Sequence, residues 1–229
     1  MDYNSPVEVS ADQIEFVTFK RNERELLDAA AALPPPLVVA VQAYWTQVTM
    51  LMRKLNELCA QALNLTRDYF EPFYRHDPNL VLKLSHYPIP PLEERKELRY
   101  GAHTDFQFLT ILMQDPEYTS SEGGLEVLMP SGEWACCPLI PNSFVVNVGD
   151  LLQLWSNDRW RSNVHRVAPC GAEVARSRLS TVFFTGPSDD TIVSPLPTCI
   201  SKGEKGKYES IVSGVHLQQK LAAISLKKL

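Results

Sequence analysis

The chain has 229 residues, of which 45% are hydrophobic and 21% are charged, enough for one buried core without disulfide bonds. Its net charge of -5 argues against a general binder of nucleic acids or anionic membranes, because both are polyanions. The five cysteines are odd in number and form no CxxC pattern, and no stretch approaches eighteen consecutive apolar residues. We therefore expect a soluble protein in a reducing compartment, the cytoplasm.

The first third of the chain is predicted to be mostly helical. Residues 7–20 have some extended character, and residues 23–32 have helical character. Three prolines at 34–36 are stiff and cannot continue a helix. From residue 37 to 64, Leu, Val, Ala, Met and Trp recur at helical spacing, which predicts one long helix. We therefore expect residues 1–78 to form a helical N-terminal region.

From residue 79 onwards, short alternating runs of apolar and polar residues are separated by turn signals such as Gly-Gly and Gly-Asp. Strands are predicted at 79–87, 108–113, 125–129, 133–138, 143–148, 151–155, 165–168 and 179–185. A helix is predicted at 208–226. Many short strands without helices between them are typical of an antiparallel sandwich or barrel. The predicted fold is mainly β with flanking helices, with residues 79–229 forming the β domain and its closing helix.

The segment 100–114 (YGAHTDFQFLTILMQ) carries the first candidate metal ligands. It is predicted to be a strand, in which His103 and Asp105 point to the same side. His165 is the candidate third ligand. Two histidines and one carboxylate occupy three adjacent positions of an octahedral ion and leave three open, which suits Fe(II) in an oxygenase. No further catalytic residue is predicted outside this metal site.

Arg178 and Ser180 follow the last candidate ligand on a later predicted strand. Spaced two apart, they project from one face, where a guanidinium and a hydroxyl can bind a carboxylate together. His-x-Asp alone is a weak signal, since any strand can carry both residues. The combination with His165 and the Arg-x-Ser pair is far more specific.

These residues, together with GGLEV at 123–127, VVNVGDLLQLWSN at 145–157 and HRV at 165–167, resemble the isopenicillin N synthase-like family of Fe(II)- and 2-oxoglutarate-dependent oxygenases. The resemblance is strong over residues 80–197 and moderate over 208–223. It implies a double-stranded β-helix, or jelly-roll, core that holds iron through three residues: His103, Asp105 and His165.

The resemblance also implies a cosubstrate site. Arg178 and Ser180 match the family's R-x-S element, which binds the distal carboxylate of 2-oxoglutarate, and Tyr87 matches a strand tyrosine that often touches the same carboxylate. Two positions depart from the family pattern: Ser85 stands where Asn is frequent, and Gln107 stands where Gly is frequent. The first departure puts one cosubstrate contact in doubt.

The longer polar side chain of Gln107 is a candidate to face substrate. Two aromatic residues, Phe106 and Phe184, are the other candidates for lining the substrate pocket. Aromatic residues on strands belong to the core more often than to a pocket, so these are the weakest of the predicted site residues.

The implied activity is oxidation of a C–H bond of a small molecule by hydroxylation, desaturation or ring formation, with decarboxylation of 2-oxoglutarate to succinate. The implied requirements are Fe(II), 2-oxoglutarate and O₂, with ascorbate as a candidate reductant, and the setting is specialised metabolism. Two alternatives stay open: an iron oxidase of the same family that does not use 2-oxoglutarate, and a non-catalytic binding barrel. A zinc hydrolase is disfavoured because the R-x-S pair has no role in one.

Members of this family usually carry a further N-terminal region with a strand and helices that help to wall the pocket. The present sequence begins at about the end of that region. We therefore expect either a short family member or a chain that lacks the leading part, in which case substrate binding would be weakened even with an intact iron site.

Overall fold

The computed structural model of the chain describes residues 14–20, 33–94, 97–115, 124–168 and 177–227. Eleven strands and three α-helices are found in these ranges. In chain order they are β1 (Glu15–Lys20), α1 (Pro35–Ala62), β2 (Pro78–Tyr87), β3 (Tyr100–His103), β4 (Leu109–Gln114), β5 (Leu125–Leu128), β6 (Trp134–Cys136), β7 (Val145–Val148), α2 (Asp150–Trp155), β8 (His165–Val167), β9 (Arg178–Ser188), β10 (Ile192–Val193), β11 (Ile211–Val212) and α3 (Ser213–Lys227). No helix in the described part of the chain combines the length and apolar character that crossing a bilayer requires.

Two antiparallel sheets form the core. The larger sheet has the strand order β1-β2-β9-β4-β7, and the smaller has the order β3-β8-β5-β6. Strands β10 and β11 form a separate pair. Apart from the hairpin of β5 and β6, strands that pair in these two sheets are distant in sequence, as in a jelly roll, where strands cross between two facing sheets. The predicted class, mainly β with flanking helices and a double-stranded β-helix core, is confirmed.

Helix α1 covers one face of the larger sheet. Its buried stripe includes Val41, Trp45, Val48 and Met52, at the spacing that brings residues to one side of a helix. These residues pack against side chains of the sheet, and the rings of Trp45 and Phe183 meet edge to face with centroids 5.3 Å apart. The helix fixes the position of the strands that carry the site on their other face.

The start of this helix differs from its prediction. The proline run was expected to exclude helix until residue 37, yet the helix begins at Pro35, with Pro34 as its N-cap. Proline is tolerated in the first turn because the N–H it lacks would have no partner there. The predicted helix at 23–32 lies outside the described residues.

The prediction of a strand at 151–155 was wrong, because these residues form helix α2. Leu151, Leu152 and Trp155 are its buried side chains, and their spacing matches one face of a helix rather than alternate positions on a strand. Gly149 caps the helix, and a Cβ at that position would lie 2.2 Å from the backbone oxygen of Gln107. This close approach locks α2 against the turn that follows β3.

Candidate metal centre and cavity

A cavity of about 200 Å³ lies between the two sheets, and all three predicted metal ligands line it. Alternation along the larger sheet assigns each strand residue to one of its two faces. On β2 and β9, Leu82 and Phe183 face helix α1, whereas Lys83, Val182 and Phe184 beside them line the cavity. The cavity-lining residues of these two strands are Lys83, Ser85, Tyr87, Arg178, Ser180, Val182 and Phe184.

The three candidate ligands converge at one point of this cavity. One ligand atom from each of His103, Asp105 and His165 lies within 4.8 Å of the others. The Oδ1 atom of Asp105 is 3.9 Å from Nε2 of His103 and 3.7 Å from Nε2 of His165. Three donors that meet from one side are the two-histidine, one-carboxylate set that suits Fe(II) and leaves adjacent positions open.

Hydrogen bonds to the backbone assign the ring nitrogens of both histidines. Nδ1 of His103 lies 2.8 Å from the carbonyl oxygen of Gly101, and Nδ1 of His165 lies 3.0 Å from that of Asn163. A carbonyl oxygen only accepts, so each Nδ1 carries the proton and each Nε2 is left with its lone pair directed at the cavity. Burial, and then the adjacent His165, lower the pKa of His103 to about 4, so its imidazole is neutral at pH 7.

Asp105 is held by its side chain and its backbone. Its Oδ2 atom accepts a 2.7 Å hydrogen bond from Nδ2 of Asn147 on β7, which leaves Oδ1 to face the histidines. Its backbone oxygen accepts from the N–H of Asp150, at 2.8 Å, at the start of α2. The carboxylate is only 5% exposed, so these contacts fix a group that could otherwise rotate.

His103 and Asp105 were expected to share a strand, but β3 ends at His103 and Asp105 lies in the turn before β4. The backbone leaves the strand ladder because the Asp105 carbonyl bonds to the helix N–H of Asp150 instead of a neighbouring strand. The two side chains still meet, because the turn folds Asp105 back towards the histidines.

The predicted carboxylate clamp forms two adjacent cross-strand pairs. Arg178 of β9 lies opposite Tyr87 of β2, and Ser180 lies opposite Ser85. All four side chains are buried and line the cavity. The guanidinium of Arg178 lies over the ring of Tyr87, 5.1 Å from its centroid. The hydroxyl of Ser180 is buried and has no hydrogen-bond partner among the described residues, as expected where a ligand oxygen would complete the site.

The three predicted pocket residues have different positions. Phe184 lines the cavity, but Phe106 and Gln107 are not among its lining residues. The Gln107 side chain lies in a tight space beside Gly186, where an added Cβ would meet its Oε1 at 2.5 Å. The ring of Phe106 lies towards the C-terminal helix, with its centroid 5.8 Å from Nζ of Lys220.

Two residues that support the centre were not predicted from the sequence. Asn147 stands within the quoted motif at 145–157, and its polar side chain among valines on β7 was the available signal. Asp150 joins the centre to helix α3: its Oδ2 atom lies 2.9 Å from Nζ of Lys220 and 3.8 Å from Nε2 of His216. The C-terminal helix is thereby tied to the residue whose N–H holds Asp105.

The chain is similar to known oxygenases. The family model of the 2OG-Fe(II) oxygenase superfamily matches residues 78–187. A homoarginine-6-hydroxylase of Oryza sativa subsp. japonica is 36% identical over 192 residues, which cover 82% of this chain and 56% of that protein. The 2-oxoglutarate-Fe(II) type oxidoreductase hxnY of Emericella nidulans is 34% identical over 193 residues, covering 81% of this chain and 53% of that protein. The chain spans about half the length of these curated relatives.

Solved structures show the same likeness. A protein of the 2OG-Fe(II) oxygenase family from Caulobacter crescentus is 32% identical, with a TM-score of 0.76, over 96% of this chain and 75% of that chain. A full-length Neurospora crassa protein, solved in complex with alpha-KG, which is 2-oxoglutarate, is 29% identical. Its TM-score is 0.78, over 93% of this chain and 71% of that chain.

Proposed function

The chain belongs to the 2OG-Fe(II) oxygenase superfamily, as its sequence predicted, and from this premise we propose that it oxidises a C–H bond of a small molecule with Fe(II), O₂ and 2-oxoglutarate. In this proposal residues 79–229 carry the oxygenase domain, and residues 1–78 belong to the N-terminal region. The observation that carries the proposal is the convergence of His103, Asp105 and His165 in a cavity that also contains the Arg178–Ser180 pair.

The donor set fits iron by its chemistry. Two imidazoles present Nε2 to the cavity, and one carboxylate presents a single oxygen, because its other oxygen is engaged by Asn147. No acidic side chain other than Asp105 is found among the described residues that line the cavity. A set with one carboxylate and two histidines is typical of non-haem Fe(II) and leaves room for a bidentate ligand and O₂.

The clamp fits 2-oxoglutarate by charge and shape. Arg178 provides a planar fork that binds a carboxylate through two hydrogen bonds, and Ser180 adds a hydroxyl on the same face. Fe²⁺, the Asp105 carboxylate and the Arg178 guanidinium together carry two positive charges. A doubly anionic 2-oxoglutarate neutralises this set, which makes a buried site tolerable.

The residues of this chain act by holding and orienting. In this proposal Arg178 and Ser180 fix the distal carboxylate of 2-oxoglutarate, and Tyr87 supports the guanidinium through its ring. Asn147 keeps one oxygen of Asp105 directed at the metal position. Bound iron would supply the chemistry of O₂ activation, coupling decarboxylation of 2-oxoglutarate to succinate with removal of a hydrogen atom from the substrate. The apolar part of the cavity wall, which would contact the substrate, includes Leu112.

The relatives support a small-molecule substrate without identifying it. One curated relative is named a homoarginine-6-hydroxylase, another a gibberellin 3-beta-dioxygenase, and the Neurospora crassa protein has also been solved with thymine. These compounds differ in size and charge. We propose a role in specialised metabolism, in which hydroxylation, desaturation or ring formation are the candidate outcomes and ascorbate is a candidate reductant.

The test is an anaerobic titration of the Fe(II)-loaded protein with 2-oxoglutarate, followed by visible absorption. Bidentate chelation of iron is expected to produce a weak metal-to-ligand charge-transfer band. Arg178→Ala removes a charge-assisted pair and should weaken 2-oxoglutarate binding by roughly 10- to 100-fold while leaving iron binding in place. Arg159→Ala, a change at an exposed position, is the control and should leave the titration unchanged.

Each outcome has a consequence for the alternatives. A band that depends on Arg178 supports the 2-oxoglutarate-dependent reaction. If iron binds and no band forms, the related iron oxidases that do not use 2-oxoglutarate become the better interpretation. If iron does not bind, the chain is better explained as a non-catalytic barrel.

A further inference from the structure

The cavity contains a second cationic side chain that the proposed reaction does not use. Lys83 of β2 lines the same cavity as the metal ligands and Arg178. It lies on the cavity face because it is two residues from Ser85 and four from Tyr87, and residues at such spacing share one face of a strand. Its cross-strand partner on β9 is Val182.

Lys83 is offset along the strand from both residues of the clamp. Ser85, opposite Ser180, is two residues from Lys83, or about 7 Å along the strand, and Tyr87, opposite Arg178, is four residues away, or about 13 Å. A 2-oxoglutarate molecule held at its distal end by Arg178 and at its keto-acid end by the metal would span the cavity between the clamp and the histidines. Lys83 is therefore anchored at a separate part of the wall.

That part of the wall adjoins the metal position. The Lys83 ammonium lies 5.0 Å from the ring centroid of Tyr100 and 4.2 Å from that of Phe16 on β1. The Tyr100 ring packs against the imidazole of His103 at 4.7 Å between centroids. Lys83 thus stands one aromatic ring away from a metal ligand. A group held by Lys83 would be positioned close to the reacting centre.

The surrounding wall is apolar. Three valine or leucine side chains lie in line with Lys83 on successive strands of the larger sheet: Val182 of β9, Leu112 of β4 and Val145 of β7. Two positions further along β9, Phe184 adds an aromatic ring to the cavity. A cationic group at the edge of an apolar surface matches a molecule with one anionic group and a hydrocarbon body.

We infer that Lys83 is a specificity-determining residue that binds the carboxylate of a singly anionic organic substrate, whose hydrocarbon part lies along Val182, Leu112 and Phe184. The inference rests on the proposed function. The charges of Fe²⁺, Asp105, Arg178 and 2-oxoglutarate sum to zero, so binding of the cosubstrate does not require the Lys83 ammonium.

The test compares ligands that differ only in charge. Short aliphatic and phenyl-substituted carboxylates, each paired with its primary amide, are titrated calorimetrically into anaerobic protein loaded with Fe(II) and 2-oxoglutarate. At least one carboxylate should bind about 10-fold or more tightly than its amide, as expected for a hydrogen bond to a charged group. Succinate release in air should be stimulated by the same carboxylate.

Variants assign the effect to one side chain. Lys83→Met keeps the length of the side chain but removes its charge, and it should weaken binding of that carboxylate by roughly 10- to 100-fold without changing binding of the amide. Lys83→Arg should retain most of the preference. Lys202→Met removes the same charge from an exposed position and should change neither ligand.

The failures of the two proposals are distinguishable. If the charge-transfer band with 2-oxoglutarate forms, but no carboxylate is preferred over its amide, the assignment of Lys83 is overturned and the proposed function stands. The assignment is also overturned if Lys83→Met weakens 2-oxoglutarate itself, because Lys83 would then serve the cosubstrate. If the band does not form at all, the proposed function fails and the inference falls with it.

Discussion

The hydrogen bond from Asn147 to Asp105 gives the sharpest test of how the metal centre is built. Asn147→Ala removes a 2.7 Å contact to the buried carboxylate oxygen that faces away from the histidines. A hydrogen bond to a charged group contributes about 1.5–3 kcal/mol. Without it the carboxylate can rotate, and metal binding must supply the cost of fixing it. We expect Fe(II) affinity to fall by roughly 10- to 100-fold, the range typical of partners that orient metal ligands.

A matched control exists in the same sheet. Asn79 of β2 donates an equivalent 2.8 Å hydrogen bond to Oδ1 of Asp189, remote from the metal position. Asn79→Ala should lower the free energy of unfolding about as much as Asn147→Ala, by roughly 1–3 kcal/mol, yet leave metal affinity unchanged. Metal affinity is measured anaerobically by competition with a chelator, and stability by urea unfolding of the metal-free proteins. Equal Fe(II) affinities in the two variants would refute the assigned role of Asn147.

Two further predictions concern elements that support the centre. Gly149→Ala should cost more than about 2 kcal/mol of unfolding free energy and weaken Fe(II) binding, because its Cβ would overlap the backbone oxygen of Gln107 at 2.2 Å. Gly124→Ala, where a Cβ meets no atom within 4 Å, should be close to neutral in urea unfolding, and equal losses would contradict the steric argument. The pKa of His216 is lowered by burial, so the unfolded chain takes up its proton first as pH falls, and stability declines below about pH 6.5. His216→Gln should reduce this decline in urea titrations of metal-free protein, to which the buried His103 also contributes; an unchanged slope would count against the assignment.

Much of the fold was predictable because the larger sheet has one face against α1 and the other towards the cavity. Residues 79–87 alternate, which places Leu80, Leu82 and Leu84 on one face, and the structure has β2 at Pro78–Tyr87. The exception at 151–155 has a physical cause. Four of the five residues at 151–155 are apolar, so a short run of this kind does not separate a buried strand from a buried helical turn, and the burial of Leu151, Leu152 and Trp155 on one helical face is seen only in the structure.

The candidate metal ligands could be brought together from the sequence because metal chemistry restricts the residue types. His103, Asp105 and His165 are the kinds of side chain that bind Fe(II), and their spacing in sequence is distinctive. Asn147 and Lys83 carry no such restriction, since amides and lysines occur on most strands. Their roles depend on the strand register, which brings Asn147 opposite Thr110 and Lys83 opposite Val182. Register is set by tertiary pairing, which sequence periodicity alone does not determine.

Along β2 and β9, side chains alternate between the two faces of the larger sheet, which separates residues that stabilise the fold from residues that line the cavity. Phe183 is fully buried and packs against Trp45 of α1, whereas its neighbour Phe184 lines the cavity. Leu82 and Lys83 divide in the same way on β2. A substitution on the helix-facing side disturbs packing that holds every strand in register, whereas one on the cavity side changes the chemistry of the wall. The candidate iron ligands approach from the turn after β3 and from the smaller sheet, whereas Lys83 lies on the larger sheet. A sheet with this division can change one wall of its cavity while the packing against α1 is retained.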